Sequence, residues 1–360
     1  LFSRVRIEPN DRSFQTAINL ALEGQYDGFV AVGGGSTIDT AKAANLYSTY
    51  PDTFLAYVNA PLGEAKLIPG PLKPLIAVPT TSGTGSESTG VAIFDLSKKQ
   101  AKTGISHRRL KPTLGLVDPD NIRSLPRAVI VATGLDVLCH ALESYTALPF
   151  TDRVYPGSPN LRPAYQGSNP VSDVWAIKSI RMVANYIERL YRNPDDEEAR
   201  TQMMMAASYA GLGFGNAGVH LCHGMSYPIS SMVRDYYPDG YPNRHPMVPH
   251  GISVALTAPA VFRFTAKANP MRHLEAAEAL GVDVTGVAFS DAGEILVGSL
   301  ISLMRKLNLP NGLSEVGFTT SDIPKLVAGT LPQHRVTKLS PRLANADNLR
   351  NLFKDSMKIW

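Results

Sequence analysis

Cysteine is nearly absent. Cys139 and Cys222 are the two in 360 residues, which excludes a disulfide framework and fits a reducing compartment such as cytosol or mitochondrial matrix. Blocks of one charge are missing as well: 35 basic against 31 acidic residues leave a net charge of +4 spread along the chain, so electrostatics give no case for nucleic acid or an acidic membrane surface. No apolar run approaches bilayer-spanning length, and no charged-then-apolar signal pattern follows Leu1, so the chain reads as a mature form or a fragment. Internal repeats and low-complexity tracts are lacking too. What is there is the composition of an ordinary globular protein, 44% hydrophobic and 18% charged, over a length that favours two cores rather than one.

The first third alternates helical and strand patterns. Residues 13 to 23 can form an amphipathic helix, and Gly28 to Val32 is a short apolar run bounded by glycine, the pattern of a buried strand. Further apolar runs at Leu75 to Val78, Val91 to Phe94 and Leu114 to Val117 are closed by Pro, Gly, Asp or Thr, the punctuation of an α/β sheet. From Leu125 onward strand patterns stop and helices are predicted at 136 to 147, 172 to 191, 197 to 213 and 272 to 280. A domain boundary is therefore expected near residues 124 to 126, giving residues 1–124 as an α/β domain and 125–360 as an all-helical one. Two long irregular stretches, Pro149 to Pro170 and Arg234 to Pro249, are of a kind that is usually functional or mobile.

Two segments suit a phosphate-bearing ligand. Gly33-Gly34-Gly35-Ser36 leaves a strand and leads into a helical pattern at Thr37 to Tyr47, where glycine lets the backbone approach an anion and the free N–H groups of a helix start can bind it. Ser36 could both cap that helix and donate to phosphate. Pro79 to Glu87, rich in hydroxyls and glycine, also follows a strand. Each segment alone could be a simple turn, but two loops at the carboxyl ends of strands converge on the crevice where open α/β sheets bind ligands.

Metal-ligand chemistry is the other candidate. Asp136 and His140, four apart in a helical stretch, lie on one helix face one turn apart, where they could grip one cation or merely hydrogen-bond at a surface. Of eight histidines, four cluster at His220, His223, His245 and His250. His223 and His250 are each followed by glycine, which leaves room around the imidazole. With Asp136 and His140 they would form an Asp/His3 set suited to Fe(II) or Zn(II) with positions left for a substrate oxygen. His107, His220, His245, His273 and His334 read as ordinary polar or capping histidines. Cys139 and Cys222 precede ligands, but adjacent helical residues point about 100° apart, so they read as packing. Glu143 could accept an imidazole N–H, although a solvated helix face is the simpler reading.

These segments in order, Gly33 to Asp39, Pro79 to Glu87, Gly134 to His140, His223-Gly224-Met225 and Pro249-His250-Gly251, resemble the iron-containing (type III) alcohol dehydrogenases, nearly end to end. The resemblance implies a dehydroquinate synthase-like fold, an α/β N-terminal dinucleotide-binding domain with a parallel sheet followed by an all-α metal-binding domain. It places Gly34, Gly35, Ser36, Asp39, Thr80, Thr81, Thr84 and Ser86 on NAD(H), with Lys102 near the ribose, and makes Asp136, His140, His223 and His250 the ligands of a divalent metal. Gly215 to Pro228 and Arg162 to Pro170 are further similar to the mitochondrial hydroxyacid-oxoacid transhydrogenases. That likeness implies hydride transfer from 4-hydroxybutyrate to 2-oxoglutarate through a tightly held cofactor, a mitochondrial matrix location, small-acid partners and a homo-oligomer, a dimer. Two departures stand out. Tyr227 replaces a second histidine common in the family, which puts a proton relay through that position in doubt, and the family's first strand and helix are missing before Leu1.

Both acids carry carboxylates, so a cationic clamp is expected. Arg162 is the candidate, with Arg153, Arg234 and Arg244 holding similar claims. A conventional alcohol dehydrogenase that releases NADH at each turnover would share these motifs, and a non-catalytic binding or scaffold form is the alternative from a different class.

Overall fold

The first helix begins where the sequence supplies its cap. In a computed structural model of the protein, which describes residues 1–99, 101–242 and 245–360, Asn10 accepts the Ser13 N–H at 2.9 Å and Ser13 Oγ accepts the Asn10 N–H at 2.9 Å. This reciprocal box opens α1 (Asp11–Gly24), which buries Phe14, Ala17, Ile18 and Ala21. Strand β1 (Phe29–Gly33) then feeds α2 (Gly35–Thr49). Parallel pairing of β1 with β2 (Leu75–Pro79), and of β2 with the two-residue β5 (Leu114–Gly115), makes a three-stranded sheet in the order β1-β2-β5.

The apolar run at Val91 to Phe94 does not join that sheet. It forms β3 (Val91–Leu96), which pairs antiparallel with β4 (Ala101–Ser106), with Val91 opposite Ser106 and Leu96 opposite Ala101. Ala92, Phe94 and Ile105 pack into one core with Phe14, Leu46 and Tyr47 of the first two helices. A short buried run has the same composition in a parallel or an antiparallel partner, so the sequence pattern could not assign it.

Beyond β5 the regular elements among the described residues are helical. The helix expected at 136 to 147 starts at Arg127 and runs as α3 (Arg127–Thr146). By length and composition it could cross a membrane, contrary to the expectation of no such run, but 83% of its apolar window is buried inside the protein. Around it pack α4 (Pro170–Arg192), α5 (Glu197–Ala217), α6 (Leu221–Ser231) and α7 (His250–Ala255). Then follow α8 (Ala258–Thr265), α9 (Pro270–Ala279), α10 (Ala292–Lys306), α11 (Ile323–Thr330), α12 (His334–Thr337) and α13 (Ala346–Ser356). The stretch from Pro149 to Pro170 contains two short 3-10 turns, Phe150–Asp152 and Pro159–Leu161. Arg244, one of the proposed clamps, lies outside the described residues.

A small cluster of Val91, Tyr165, Phe214, Val219, Val336 and Leu339 ties β3 to the helices. The cavity that holds the candidate site opens beside this seam.

Candidate metal and nucleotide site

Helix α3 brings Asp136 and His140 to one face, as their spacing requires, and both are buried. His223 comes from the first turn of α6, and His250 opens α7. The Asp136 Oδ1 atom is 3.6 Å from His140 Nδ1, 3.5 Å from His223 Nε2 and 3.9 Å from His250 Nε2. Ligand atoms of Asp136, His140 and His223 lie within 4.8 Å of one another. Four residues drawn from three helices thus meet, with His250 the most exposed of them at 24% of its side chain.

Two local features explain the convergence. Gly251 lies so close to α3 that a Cβ there would collide with the Ala132 carbonyl oxygen and sit 2.8 Å from Asp136 Cβ. Only glycine lets α7 bring His250 this near. The second feature is Glu143, which is fully buried and not on a solvated face. Its Oε1 accepts the backbone N–H groups of His220 at 3.0 Å, Cys222 at 2.7 Å and His223 at 3.4 Å. A carboxylate from α3 therefore satisfies N–H groups that the start of α6 leaves open. Its other oxygen bonds His223 Nδ1, which turns Nε2 toward Asp136. His220, also buried, reaches Thr146 Oγ1 at 3.0 Å.

The electrostatics follow from burial and these neighbours. Burial pushes the His140 imidazole down to about 3, so its lone pair is available. Burial also pulls His223 down, but the Glu143 carboxylate, with Asp136, outweighs it and lifts the imidazole to about 9. Burial opposes ionisation of Glu143, yet His223 and His220 hold it at about 2. Asp136 is likewise kept well below the usual carboxylate range, against burial, by His140 and His250. Two buried carboxylates make the spot strongly attractive to a cation. Burial pushes the Cys139 and Cys222 thiols well up, which agrees with a packing role.

The fit to a metal rests on three orphaned atoms. Asp136 Oδ1, His140 Nδ1 and His223 Nε2 are all buried without a hydrogen-bond partner among the described residues. Such groups normally find partners. Convergent N and O donors of this kind suit a divalent transition metal. Phe214 covers the far side of His140, ring centroids 4.0 Å apart and 9° from parallel.

Asp136, His140, His223 and His250 border a cavity whose lining also includes Gly35, Ser36, Asp39, Thr84 and Ser86. The two small-residue loops touch here: a Cβ on Gly34 would lie 3.0 Å from Thr81 Cγ2, and one on Gly35 would lie 2.5 Å from Thr84 Cγ2. Gly34 begins α2 with no side-chain cap, so the first N–H groups of that helix remain available for an anion. Thr80 N–H bonds Gly33 O at 3.0 Å, and Thr80 and Thr81 brace the glycine turn from behind and do not line the cavity.

Other residues assigned to ligands are engaged with protein groups or lie away from the cavity. Asp39 borders the cavity, but its oxygens take Ser86 Oγ at 2.5 Å and the Ile93 N–H at 2.9 Å, and Lys42 Nζ lies 3.5 Å away; it brackets the two loops together. Lys102 is buried between Glu8 at 2.6 Å and Asp95 at 3.3 Å, outside the cavity lining. Arg162 is exposed and borders a separate surface cavity with Arg153, Tyr155 and Gln166. Arg234 is paired to Asp322 at 2.8 Å. Position in the long loop after α3 implied nearness to the metal helix, but that loop brings Tyr165 to the cavity and leaves Arg162 at the separate surface cavity.

One cavity residue that the sequence did not point to is Arg335, on the four-residue α12. It borders the metal cavity together with Tyr165 and Tyr227. Nothing near it in the sequence resembles the motifs above, and only the folding of α12 onto α6 brings it here.

Comparison with known proteins identifies the family. Residues 1–119 match the family model described as iron-containing alcohol dehydrogenase, and residues 164–357 match that of the Fe-containing alcohol dehydrogenase family, C-terminal. The chain is 59% identical over 362 residues to the mitochondrial hydroxyacid-oxoacid transhydrogenase of Xenopus tropicalis, covering 100% of this chain and 78% of the relative. It is 58% identical over 369 residues to the probable mitochondrial hydroxyacid-oxoacid transhydrogenase of Dictyostelium discoideum, covering 100% and 68%. Among solved structures it is similar to a 1,3-propanediol oxidoreductase, with a TM-score of 0.84 at 26% identity, covering 99% of this chain and 83% of the other. It is also similar to sulfoacetaldehyde reductase from Bifidobacterium kashiwanohense in complex with NAD+, with a TM-score of 0.77 at 25% identity, covering 98% and 82%.

Proposed function

The chain belongs to the iron-containing alcohol dehydrogenase family, and from that premise we propose that it is a mitochondrial oxidoreductase moving hydride from 4-hydroxybutyrate to 2-oxoglutarate, by way of a nicotinamide cofactor that stays bound. The products are succinic semialdehyde and 2-hydroxyglutarate. The observation that carries the reading is the convergence of Asp136 Oδ1, His140 Nδ1 and His223 Nε2, buried and unpartnered, at the end of a cavity whose other wall is the glycine turn.

In this reading Asp136, His140, His223 and His250 hold a divalent metal. When bound, it supplies Lewis-acid polarisation of the substrate oxygen. Glu143 fixes the tautomer and direction of His223, and Phe214 keeps the His140 ring in its plane and water off its far face. Gly35 and Ser36, with the N–H groups at the start of α2, seat the cofactor pyrophosphate. Thr84 and Ser86 approach it from the facing loop. Asp39 and Lys42 hold those loops at a fixed separation and so orient the nicotinamide ring relative to the substrate; the hydride chemistry itself belongs to the cofactor.

Retention of the nucleotide separates this reading from a conventional alcohol dehydrogenase. Purified protein incubated with 4-hydroxybutyrate deuterated at C4, 2-oxoglutarate and no added nucleotide should place deuterium at C2 of 2-hydroxyglutarate. A strict requirement for free NAD would instead establish release at each turnover.

A further inference from the structure

From the charges around the cavity we infer that Arg335 is the residue that reads the substrate carboxylate, and that one guanidinium serves both the hydroxy-acid donor and the oxo-acid acceptor. The inference rests on the function proposed above.

Most charged groups that line the cavity already have counter-charges. Glu8 is committed to Lys102 and Asp39 to Lys42, and Asp136 belongs to the candidate metal cluster. Arg335 is different, because its partners are neutral: the guanidinium donates to the Tyr227 hydroxyl and sits 5.1 Å from the centre of the Tyr165 ring. Its Nη1 is buried without a hydrogen-bond partner, and no carboxylate among the described residues is within ion-pair distance. The residue as a whole is half-buried, but a guanidinium nitrogen shut off from water with no anion beside it is costly unless something supplies the counter-charge. The planar fork of arginine matches a carboxylate through two parallel hydrogen bonds, and the Tyr227 hydroxyl and the Tyr165 ring hold that fork in place.

Position supports the same assignment. Tyr227, to which Arg335 is bonded, follows His223 by four residues on α6, a rise of roughly 6 Å along the helix. The guanidinium is therefore moored one turn from a metal-cluster residue. Its mount is firm. Gly224 allows α12 to settle on α6, since a Cβ there would lie 2.9 Å from Thr337 Cγ2. Gln333 Nε2 donates to the Lys102 carbonyl at 3.2 Å, and Val336 is fully buried.

The substrates share the matching feature. In 4-hydroxybutyrate the carbon that loses hydride is separated from the carboxylate by two methylene groups. In 2-oxoglutarate the carbon that receives hydride is separated from the distal carboxylate by two methylene groups as well. A cation fixed at one distance from the metal cluster would place either reacting carbon at the same point. Exchange of substrates around a retained cofactor needs that property.

Arg335→Gln tests the assignment, with Arg335→Lys as a second variant that keeps the charge but loses the fork. For R335Q, KM for both 4-hydroxybutyrate and 2-oxoglutarate should rise by a similar factor, about 30-fold or more, as expected for losing charge-assisted hydrogen bonds, while kcat falls much less. Glutarate, which has the distal carboxylate but no reacting group, should bind the wild type in a calorimeter and bind R335Q correspondingly less well. R335K should fall between the two. Metal content and melting temperature, measured alongside, show whether each variant is folded; if R335Q does not fold, the KM and glutarate shifts of R335K decide. Unchanged KM values, a loss confined to kcat, or undiminished glutarate binding in a folded variant would overturn the assignment. Absence of label transfer in the wild type would refute the proposed function, whereas glutarate binding would still report on Arg335.

Discussion

Among individual residues, Glu143 shows how much one carboxylate can organise. One oxygen closes the start of α6 and the other orients His223. Glu143→Gln keeps the volume, but an amide cannot offer both oxygens, so an acceptor is lost at the helix start or at the imidazole. We expect metal affinity, measured by competition with a chromogenic chelator, to fall by about 10- to 100-fold, and stability in a denaturant titration to fall by about 1–3 kcal/mol. Lys42 is a second test. Its ammonium is fully buried against Ser86 Oγ at 2.7 Å and the Val91 carbonyl at 2.8 Å, beside Asp39. Lys42→Met leaves the Asp39 carboxylate buried without its cation, a defect worth about 3–5 kcal/mol; the same titration and a weakened NADH fluorescence signal would register it. Asp136 and His140 were legible in the sequence because their spacing is a property of the helix itself. Glu143 was not, because a charged residue one turn further along looks like a solvated face until α6 is known to begin beside it. Arg335 was hidden for a related reason, since its role depends on a contact between α12 and α6 that no local pattern encodes.

Between elements, glycine decides which helices can touch. Gly251 lets α7 close on α3, and an added methyl at that position would collide with the Ala132 carbonyl. Gly251→Ala should therefore push α7 outward and cost about 1–3 kcal/mol, with loss of bound metal by elemental analysis as His250 retracts. Gly298 is the useful contrast: it lies exposed inside α10 with nothing within 4 Å of where a methyl group would sit. Gly298→Ala should stabilise by about 0.5–1 kcal/mol through helix propensity alone. A pair of Gly→Ala changes with opposite signs in the same melting assay would separate contact from propensity. The elements themselves were only partly readable. The strand at 29 to 33 was marked by its apolar run, although Val30 and Val32 are exposed rather than buried; the helix after it was marked by the glycine turn, and α4 and α5 by the caps Asn169 and Asp196. The short α7 and α12 were not marked, because four to six residues, as in His334–Thr337 and His250–Ala255, are too few for a 3.6-residue period to declare itself.

Across the full chain, the two chemical tasks use separate stretches of sequence. The metal cluster draws on α3, α6 and α7, whereas the small-residue loops sit at residues 33–36 and 79–87. A metal held by these proposed ligands would join three helices and stabilise the fold by mass action, by about 4 kcal/mol when present at a thousand times its dissociation constant. Removal by a chelator should therefore lower the melting temperature, and Fe(II) or Zn(II) should restore it. The glycine turn and the threonine-serine loop contain none of Asp136, His140, His223 or His250, and they are braced by Asp39 and Lys42. The metal-depleted protein should consequently still quench or shift NADH fluorescence while failing to transfer deuterium. If chelation abolished nucleotide binding as well, the cleft would have to depend on the metal for its shape. The separation between a self-supporting cofactor cradle and a metal-dependent reaction centre would then be wrong.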